Sequence, residues 1–418
     1  MENILHSLNQ PAVWQEYLEY KRDGAHLTEK EVNELAEFID LKKYGSVTEY
    51  IISNKNLSIP VKKLINKIGG GKKRVVYSFQ DDENKVLKLI SFLLYRYDGK
   101  QSAACYSFKK GYGVQRALNK IIHTPGISEL WCYKLDIKDY FNSISIPVLL
   151  PILEQILDDD KELYRFFYNL LSENKAYYEG GIIQENRGVM AGTPTSPFLA
   201  NIYLKEVDSY FINHNIIYAR YSDDIIVFAE TEKELMDYRD ILYKFLDKYK
   251  LSVNTEKEKI AKPLEAWEYL GVEYQNGRID LSSATKQKLK GKIKRKARAL
   301  RRWKIKKNAG DDQTMKVMIR VFNKKFFENK DPHDLTWSRW FFPILTEING
   351  FKEIDAYLQQ YIRYIPTGCH GKKNYKITYD TLKNLGYRSL VNEYYKFKNG
   401  RDSHSQSQSA AFLTIMPL

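Results

Sequence analysis

The stretch Ile216-Ile217-Tyr218-Ala219-Arg220-Tyr221-Ser222-Asp223-Asp224-Ile225-Ile226-Val227-Phe228-Ala229 decides how this chain is read. Two apolar, β-prone runs flank Ser222-Asp223-Asp224, which predicts strand, tight turn, strand, with two carboxylates at the tip. Adjacent carboxylates repel, and between apolar flanks they gain nothing for stability unless a cation sits between them. A solvated acidic turn is the ordinary fate of an Asp-Asp pair. A metal site needs more: a third carboxylate, a substrate pocket and a track for a polymer.

Working outward, Trp131 to Asp136 alternates, with Trp131, Tyr133 and Leu135 on one face and Cys132, Lys134 and Asp136 on the other. That is a strand ending on Asp136, followed by a turn through Ile137-Lys138-Asp139-Tyr140-Phe141-Asn142. A carboxylate there is a turn cap or a metal ligand. Gly188-Val189-Met190-Ala191-Gly192-Thr193-Pro194-Thr195-Ser196-Pro197 is a glycine-punctuated loop feeding a helix, with Ser196 expected as N-cap and Pro197 as first helical residue. Thr231-Glu232-Lys233-Glu234 opens another helix with a capping box. Leu251 to Lys257 leaves that helix, and Tyr269 to Tyr274 forms a short hairpin arm. The order strand, helical excursion, helix, hairpin, helix, strand predicts a split βαβ arrangement on one antiparallel sheet.

Before this region, residues 1–60 read as helical, with a capping box at Thr28-Glu29-Lys30-Glu31. Gly69-Gly70-Gly71-Lys72-Lys73-Arg74 is a glycine-basic loop without P-loop spacing, entering the strand Val75–Phe79. Tyr106-Ser107-Phe108-Lys109-Lys110-Gly111-Tyr112-Gly113-Val114 mixes rings with lysines, as single-stranded nucleic acid favours, though a hairpin with solvated lysines fits equally. From Ser282 to Lys307 stand nine Lys and four Arg with no acid, while Leu289, Ile293, Ala297, Leu300 and Trp303 keep an apolar stripe. A helix docked by one face, with basic flanks, fits a polyphosphate. Residues 311–398 read as helical and aromatic; the basic loop Gly368–Tyr375 holds His370 beside Cys369, too little for a metal site. The Ser/Gln-rich end, 399–418, reads as disordered.

Bulk properties set the bounds. The chain has 418 residues, 43% hydrophobic and 28% charged, with net charge +14, which favours a polyanionic partner. Three cysteines lack metal or disulfide spacing, so free thiols in a reducing cytosol are expected. The first 25 residues include Glu2, Glu16, Glu19, Lys21 and Arg22 and carry no signal-length apolar run; no stretch is long enough to span a bilayer. A cytoplasmic protein with no membrane partner is expected.

Asp136, Asp223 and Asp224, all at strand ends of one sheet, can hold two Mg²⁺ ions, with Mn²⁺ as substitute. The order of segments also resembles the bacterial reverse transcriptases over about residues 70–305, most closely the defence-associated and abortive-infection members of the group II intron-like and retron-like superfamily. Asp136–Phe141 is similar to motif A, Gly188–Asn201 to motif B, Tyr221-Ser222-Asp223-Asp224 to the YxDD motif C, Asn254–Lys257 to motif D and Tyr269-Leu270-Gly271 to the motif E primer grip. The resemblance implies an α+β right-hand polymerase: fingers at 61–128, a palm at 129–281 with a fingers insertion at about 145–187, a thumb at 282–310, and helical segments at 1–60 and 311–398. It implies metal ligation by Asp136, the Ile137 carbonyl, Asp223 and Asp224, with Lys257 meeting pyrophosphate. It places Lys73, Arg74, Lys109, Asp139, Tyr140, Phe141, Ala191 and Gly192 around the nucleotide, Phe141 as the gate against a 2′-hydroxyl. Tyr221, Ser222, Tyr269, Leu270, Gly271, Lys292, Arg295, Arg298 and Arg302 would meet primer and template.

Two departures stand out. Met190-Ala191 occupy the place of the family's Pro-Gln, and no Val-Thr-Gly follows motif E, unlike typical retron enzymes. The expected activity is RNA-directed DNA polymerisation from dNTPs on an associated non-coding RNA, yielding DNA, in antiphage defence. A template-independent or protein-primed polymerase and a maturase-like RNA binder are the alternatives. Oligomeric state is not legible in the sequence.

Overall fold

The computed structural model describes residues 3–23, 27–66, 73–328 and 336–400. Gly69–Lys72 of the glycine-basic loop and the end of the chain from 401 lie outside the described residues. Two compact units emerge, Met1–Leu270 with Gln275–Gly277, and Gly271–Tyr274 with Arg278–Leu418.

The first unit is built on strands β1 (Val61–Asn66), β2 (Lys73–Ser78), β3 (Trp131–Asp136), β4 (Lys175–Tyr178), β5 (Gly181–Gln184), β6 (Tyr218–Tyr221), β7 (Asp224–Ala229) and β8 (Lys259–Ala261). The palm sheet runs β6-β7-β3-β8 and is antiparallel throughout. β7 is central, which is why Ile225, Ile226, Val227 and Phe228 are buried on both faces. Each such side chain contributes about 1.5–3 kcal/mol by leaving water. The Glu232–Lys248 helix packs over β3 and β7. It starts on Thr231, whose side chain accepts from the Glu234 amide in a reciprocal capping box, and it buries Leu235, Leu242 and Leu246.

A second sheet runs β2-β1-β4-β5. The β4–β5 hairpin comes from inside the 145–187 excursion and joins β1 through a single parallel pair, Val61 with Tyr177. The helices Pro11–Asp23 and Glu29–Asp40 share one core with the palm, anchored by Trp14 stacked on Tyr44 at 4.7 Å.

The second unit is helical around Ser283–Lys307, Asp311–Asn323 and Asn349–Thr367. Ser282 caps the first of these by accepting from the Thr285 amide (3.2 Å). That helix buries Leu289, Ile293, Ala297 and Leu300 as expected, but Trp303 is 40% exposed. The partner helix ends at Thr367, where Arg301 donates to the Ile365 carbonyl (3.0 Å), so the apolar stripe runs out of cover before Trp303. Buried Asp355 accepts from the Tyr387 and Ser389 hydroxyls and from the Leu390 and Val391 amides, capping the helix at 390–400. His370 stacks on Tyr364 at 4.8 Å, which makes it a packing residue. The three cysteines are free thiols, and among the described residues no helix is long and apolar enough to cross a membrane.

Candidate active site

The carboxylate hairpin is tighter than the sequence suggests. β6 ends at Tyr221 and β7 begins with Asp224, so only Ser222 and Asp223 form the turn, Ser222 at φ 60°. Left-handed φ at the first position of a two-residue turn matches the natural twist of a hairpin. Asp136 is the direct partner of Asp224 in the β3–β7 ladder, and the Ile137 amide donates to the Asp223 carbonyl (3.0 Å). Three acidic residues thus converge on one edge of the palm.

The electrostatics show the crowding. Burial first, then the charges of Asp136 and Asp224, push the Asp223 carboxyl up to about 6. Lys257 Nζ contacts both Asp136 oxygens (2.7 and 2.8 Å), and Asn254 Nδ2 adds a bond at 3.3 Å. Lys134 Nζ lies 3.4 Å from Asp224. Asp136 and Asp224 therefore each turn toward a lysine, and among the described residues no three Asp, Glu, His or Cys side chains form a ready ion-holding cluster.

Behind the turn lies a buried ion pair that no motif marks. Arg220 is fully buried and grips equally buried Asp208 through Nε (2.8 Å) and Nη2 (2.7 Å). Its remaining donors reach the Asn201 carbonyl (2.9 Å) and the Ser222 carbonyl (3.3 Å), so the ion pair fixes the turn from behind. Breaking such a pair by removing one partner costs about 3–5 kcal/mol. The one hint in the sequence was a charge inside each of two apolar patterns, strand 216–229 and helix Lys205–Asn213.

Asn201 and Ser107 extend this frame. Ser107 Oγ donates to Asn201 Oδ1 (2.9 Å), Asn201 Nδ2 donates to the Ser107 carbonyl (2.7 Å), and the Ser222 amide donates to Ser107 Oγ (2.9 Å). The Tyr106 amide bonds the Arg220 carbonyl and the Arg220 amide bonds the Ala104 carbonyl, each at 2.9 Å. Residues 104–107 are thereby laced along β6.

The glycine loop now has its reason. A Cβ on Gly188 (φ 53°) would stand 2.3 Å from the Phe141 carbonyl oxygen, and the Val189 amide donates to that same oxygen (2.9 Å). Gly192 (φ 99°) lies against Val76 and Tyr77, while the Ala191 carbonyl accepts from the Tyr77 amide (2.8 Å) and its amide donates to Asn142 Oδ1 (3.0 Å). Only glycine tolerates both the left-handed backbone and these approaches. The helix after the loop starts at Ser196 itself, with Thr195 before it. Ser196 Oγ donates back to the Thr193 carbonyl (2.8 Å), which keeps it from serving as N-cap. Met190 is buried at φ 60°.

Several expected ligand residues are placed otherwise. Lys109 is buried, with Nζ on the Ser102 carbonyl (2.6 Å) and 3.7 Å above the Tyr112 ring; burial lowers its pKa, and it braces its own loop instead of facing a triphosphate. The Tyr140 hydroxyl is turned into the core onto the Ala200 carbonyl (2.6 Å). Tyr269 is fully buried, its hydroxyl reaching the Ala219 (3.3 Å) and Asp224 (3.4 Å) carbonyls, so it backs the hairpin. Its neighbours Leu270 and Gly271 are half-buried. Lys73 and Arg74 are both exposed on β2 but on opposite faces; Arg74 shares the face of Val76 and hence of Gly192. Asp139 is exposed, and half-buried Phe141 and Tyr221 each face the ring of Phe108 at 6.3 and 6.4 Å. In the second unit Arg295, Arg298 and Arg302 are exposed on their helix, and Lys292 is half-buried.

A palm sheet with three converging acids, a glycine loop clamped on the turn after the first, and YxDD at the hairpin define a nucleic-acid polymerase palm. Residues 65–274, half of the chain, match the reverse transcriptase (RNA-dependent DNA polymerase) family, and the chain belongs to that family. Among curated relatives, it is 22% identical to the retron Ec86 reverse transcriptase of Escherichia coli over 41% of this chain and 50% of that one. It is 28% identical to the retron Ec83 reverse transcriptase of the same organism over 26% of this chain and 35% of that one. The chain spans about half the length of the first of these and less of the second. A solved structure of apo telomerase from Candida tropicalis aligns with 79% of this chain and 69% of that one, at 13% identity and TM-score 0.46.

Proposed function

We propose that this chain is an RNA-directed DNA polymerase that extends a primer 3′ end with deoxynucleotides along a bound RNA. The observation that carries this reading is register: the β3–β7 ladder sets Asp136 opposite Asp224, with Asp223 beside them in the turn. The donor set is all oxygen and carboxylate, the chemistry that suits Mg²⁺, and Asp223 is a buried carboxyl pushed up first by burial and then by its two acidic neighbours. Asp136, Asp223 and Asp224, with the Ile137 carbonyl, would hold the ions. When bound, such ions activate the attacking hydroxyl and stabilise the leaving pyrophosphate.

The protein's own groups do the rest. Phe141 limits the sugar side of the site against a 2′-hydroxyl. Arg74 offers a guanidinium for the triphosphate on the Gly192 side of β2. Lys257 pairs with Asp136 and would stand within reach of the phosphates that arrive there. The Ser283–Lys307 helix supplies the polycation for RNA and product.

The RNA copied is a dedicated non-coding RNA, and the setting is bacterial antiphage defence; the support is the resemblance of the helical C-terminal part to defence-associated and abortive-infection reverse transcriptases. Ala191 offers a methyl group where the family carries glutamine, and this favours untemplated synthesis as the second reading.

The test is to purify the protein with its co-purifying RNA, add Mg²⁺ and labelled dNTPs, and sequence the product. DNA complementary to the bound RNA is expected. Random or homopolymer product joined to protein would support the second reading. Asp223→Ala with Asp224→Ala should abolish incorporation and leave RNA binding intact; residual synthesis would sink the site assignment.

A further inference from the structure

Phe108 is the residue here that neither fold stability nor the motifs account for. It is a large apolar side chain left 45% exposed, and its backbone lies at φ 57°, in the left-handed region that a bulky residue avoids. An isolated exposed ring is ordinary, and an isolated strained backbone is sometimes a turn artefact of sequence. Both at one residue, whose neighbour Ser107 is bonded to the carboxylate turn, call for a cause. Strained conformations persist where the surroundings over-determine them.

The surroundings do so here. On one side Ser107 is fully buried, bonded to Asn201 by side chain and carbonyl, and its Oγ accepts from the Ser222 amide of the carboxylate turn. On the other side Lys109 is buried on the Ser102 carbonyl and the Tyr112 ring. With both neighbours locked inward, Phe108 is thrown outward, and the bond from the Ser222 amide to Ser107 ties its position to the carboxylate turn. The ring meets Phe141 edge-on at 6.3 Å and Tyr221 at 6.4 Å. Three rings from three separate segments thus meet, two of them, Phe141 and Tyr221, close in sequence to the acids.

We infer that Phe108 is a specificity-determining residue of the nucleotide site, an aromatic wall that contacts the sugar and base of the incoming dNTP and holds Phe141 in its gating position. This inference rests on the polymerase reading. An apolar ring suits the face of a nucleoside, while the acids and Arg74 receive its phosphates.

The experiment compares wild type, Phe108→Ala and Phe108→Gly for dTTP binding by calorimetry in Mg²⁺, and for incorporation of dTTP against UTP on the co-purified RNA. Phe108→Gly releases the backbone strain, so it stays folded if Phe108→Ala does not. Both variants should bind dTTP roughly tenfold more weakly, the loss expected for one stacking ring, and admit UTP more readily. Binding and sugar selection unchanged in either folded variant would overturn the inference. A wild type that binds dTTP but makes no DNA would refute the polymerase reading alone, with the binding comparison still deciding on Phe108.

Discussion

At Asp223, one carboxyl reports on the whole site. Burial and two acidic neighbours raise its pKa to about 6, so in the folded state its ionised form is disfavoured. Ionising it costs stability in full at pH above about 6, and that cost fades as the pH falls from there to the ordinary carboxylate value of 3.8. Asp223→Asn should therefore raise the melting temperature of the metal-free protein most at pH 7.5 and by a smaller margin at pH 5, while abolishing DNA synthesis. In a unit of this size each kcal/mol relieved is worth roughly 2–4 °C, and differential scanning calorimetry at the two pH values checks it. The acids themselves were legible in the sequence because Asp-Asp between apolar runs is hard to explain otherwise. Arg220, Asp208, Ser107 and Phe108 were not, since their meaning lies in pairings across 12 to 115 positions that no local pattern encodes.

Among the elements, the loop from Gly188 to Gly192 is held rigid because it is clamped between β2 and the Phe141–Asn142 turn. Gly188→Ala would drive a methyl into the Phe141 carbonyl and force left-handed φ on alanine. The expected cost is about 2–4 kcal/mol, with a larger loss of dNTP incorporation than of RNA binding; urea unfolding and a filter-binding assay separate the two. Strand and helix order was readable from alternation, capping boxes and the apolar stripe. The helix start at Ser196 was misplaced because Ser-Pro looks like a cap, whereas Ser196 Oγ spends its hydrogen on Thr193. Trp303 was assigned to the stripe because spacing alone does not reveal where a partner helix ends.

On the scale of the whole molecule, charge is distributed very unevenly. Thirteen basic residues without an acid lie between Ser282 and Lys307, against a net charge of +14 for the chain. Arg295, Arg298 and Arg302 are exposed and spaced for one helix face, as phosphate contacts would be. Replacing all three by Gln should weaken RNA binding across sequences and lower the slope of log K against log salt by about 2–3, near one per lost phosphate contact. Fluorescence anisotropy over a salt series measures this, and an unchanged slope would remove the helix from the RNA-binding surface. The palm's own acids pose the opposite problem, and Lys257 is its local answer. An ammonium tethered 2.7 Å from Asp136 behaves as an intramolecular competitor at high effective concentration. A cation entering the site would have to win that carboxylate from a ligand that never diffuses away, which would select against weakly held ions. Substrate phosphates, by drawing the lysine toward themselves, would free Asp136 for the ion.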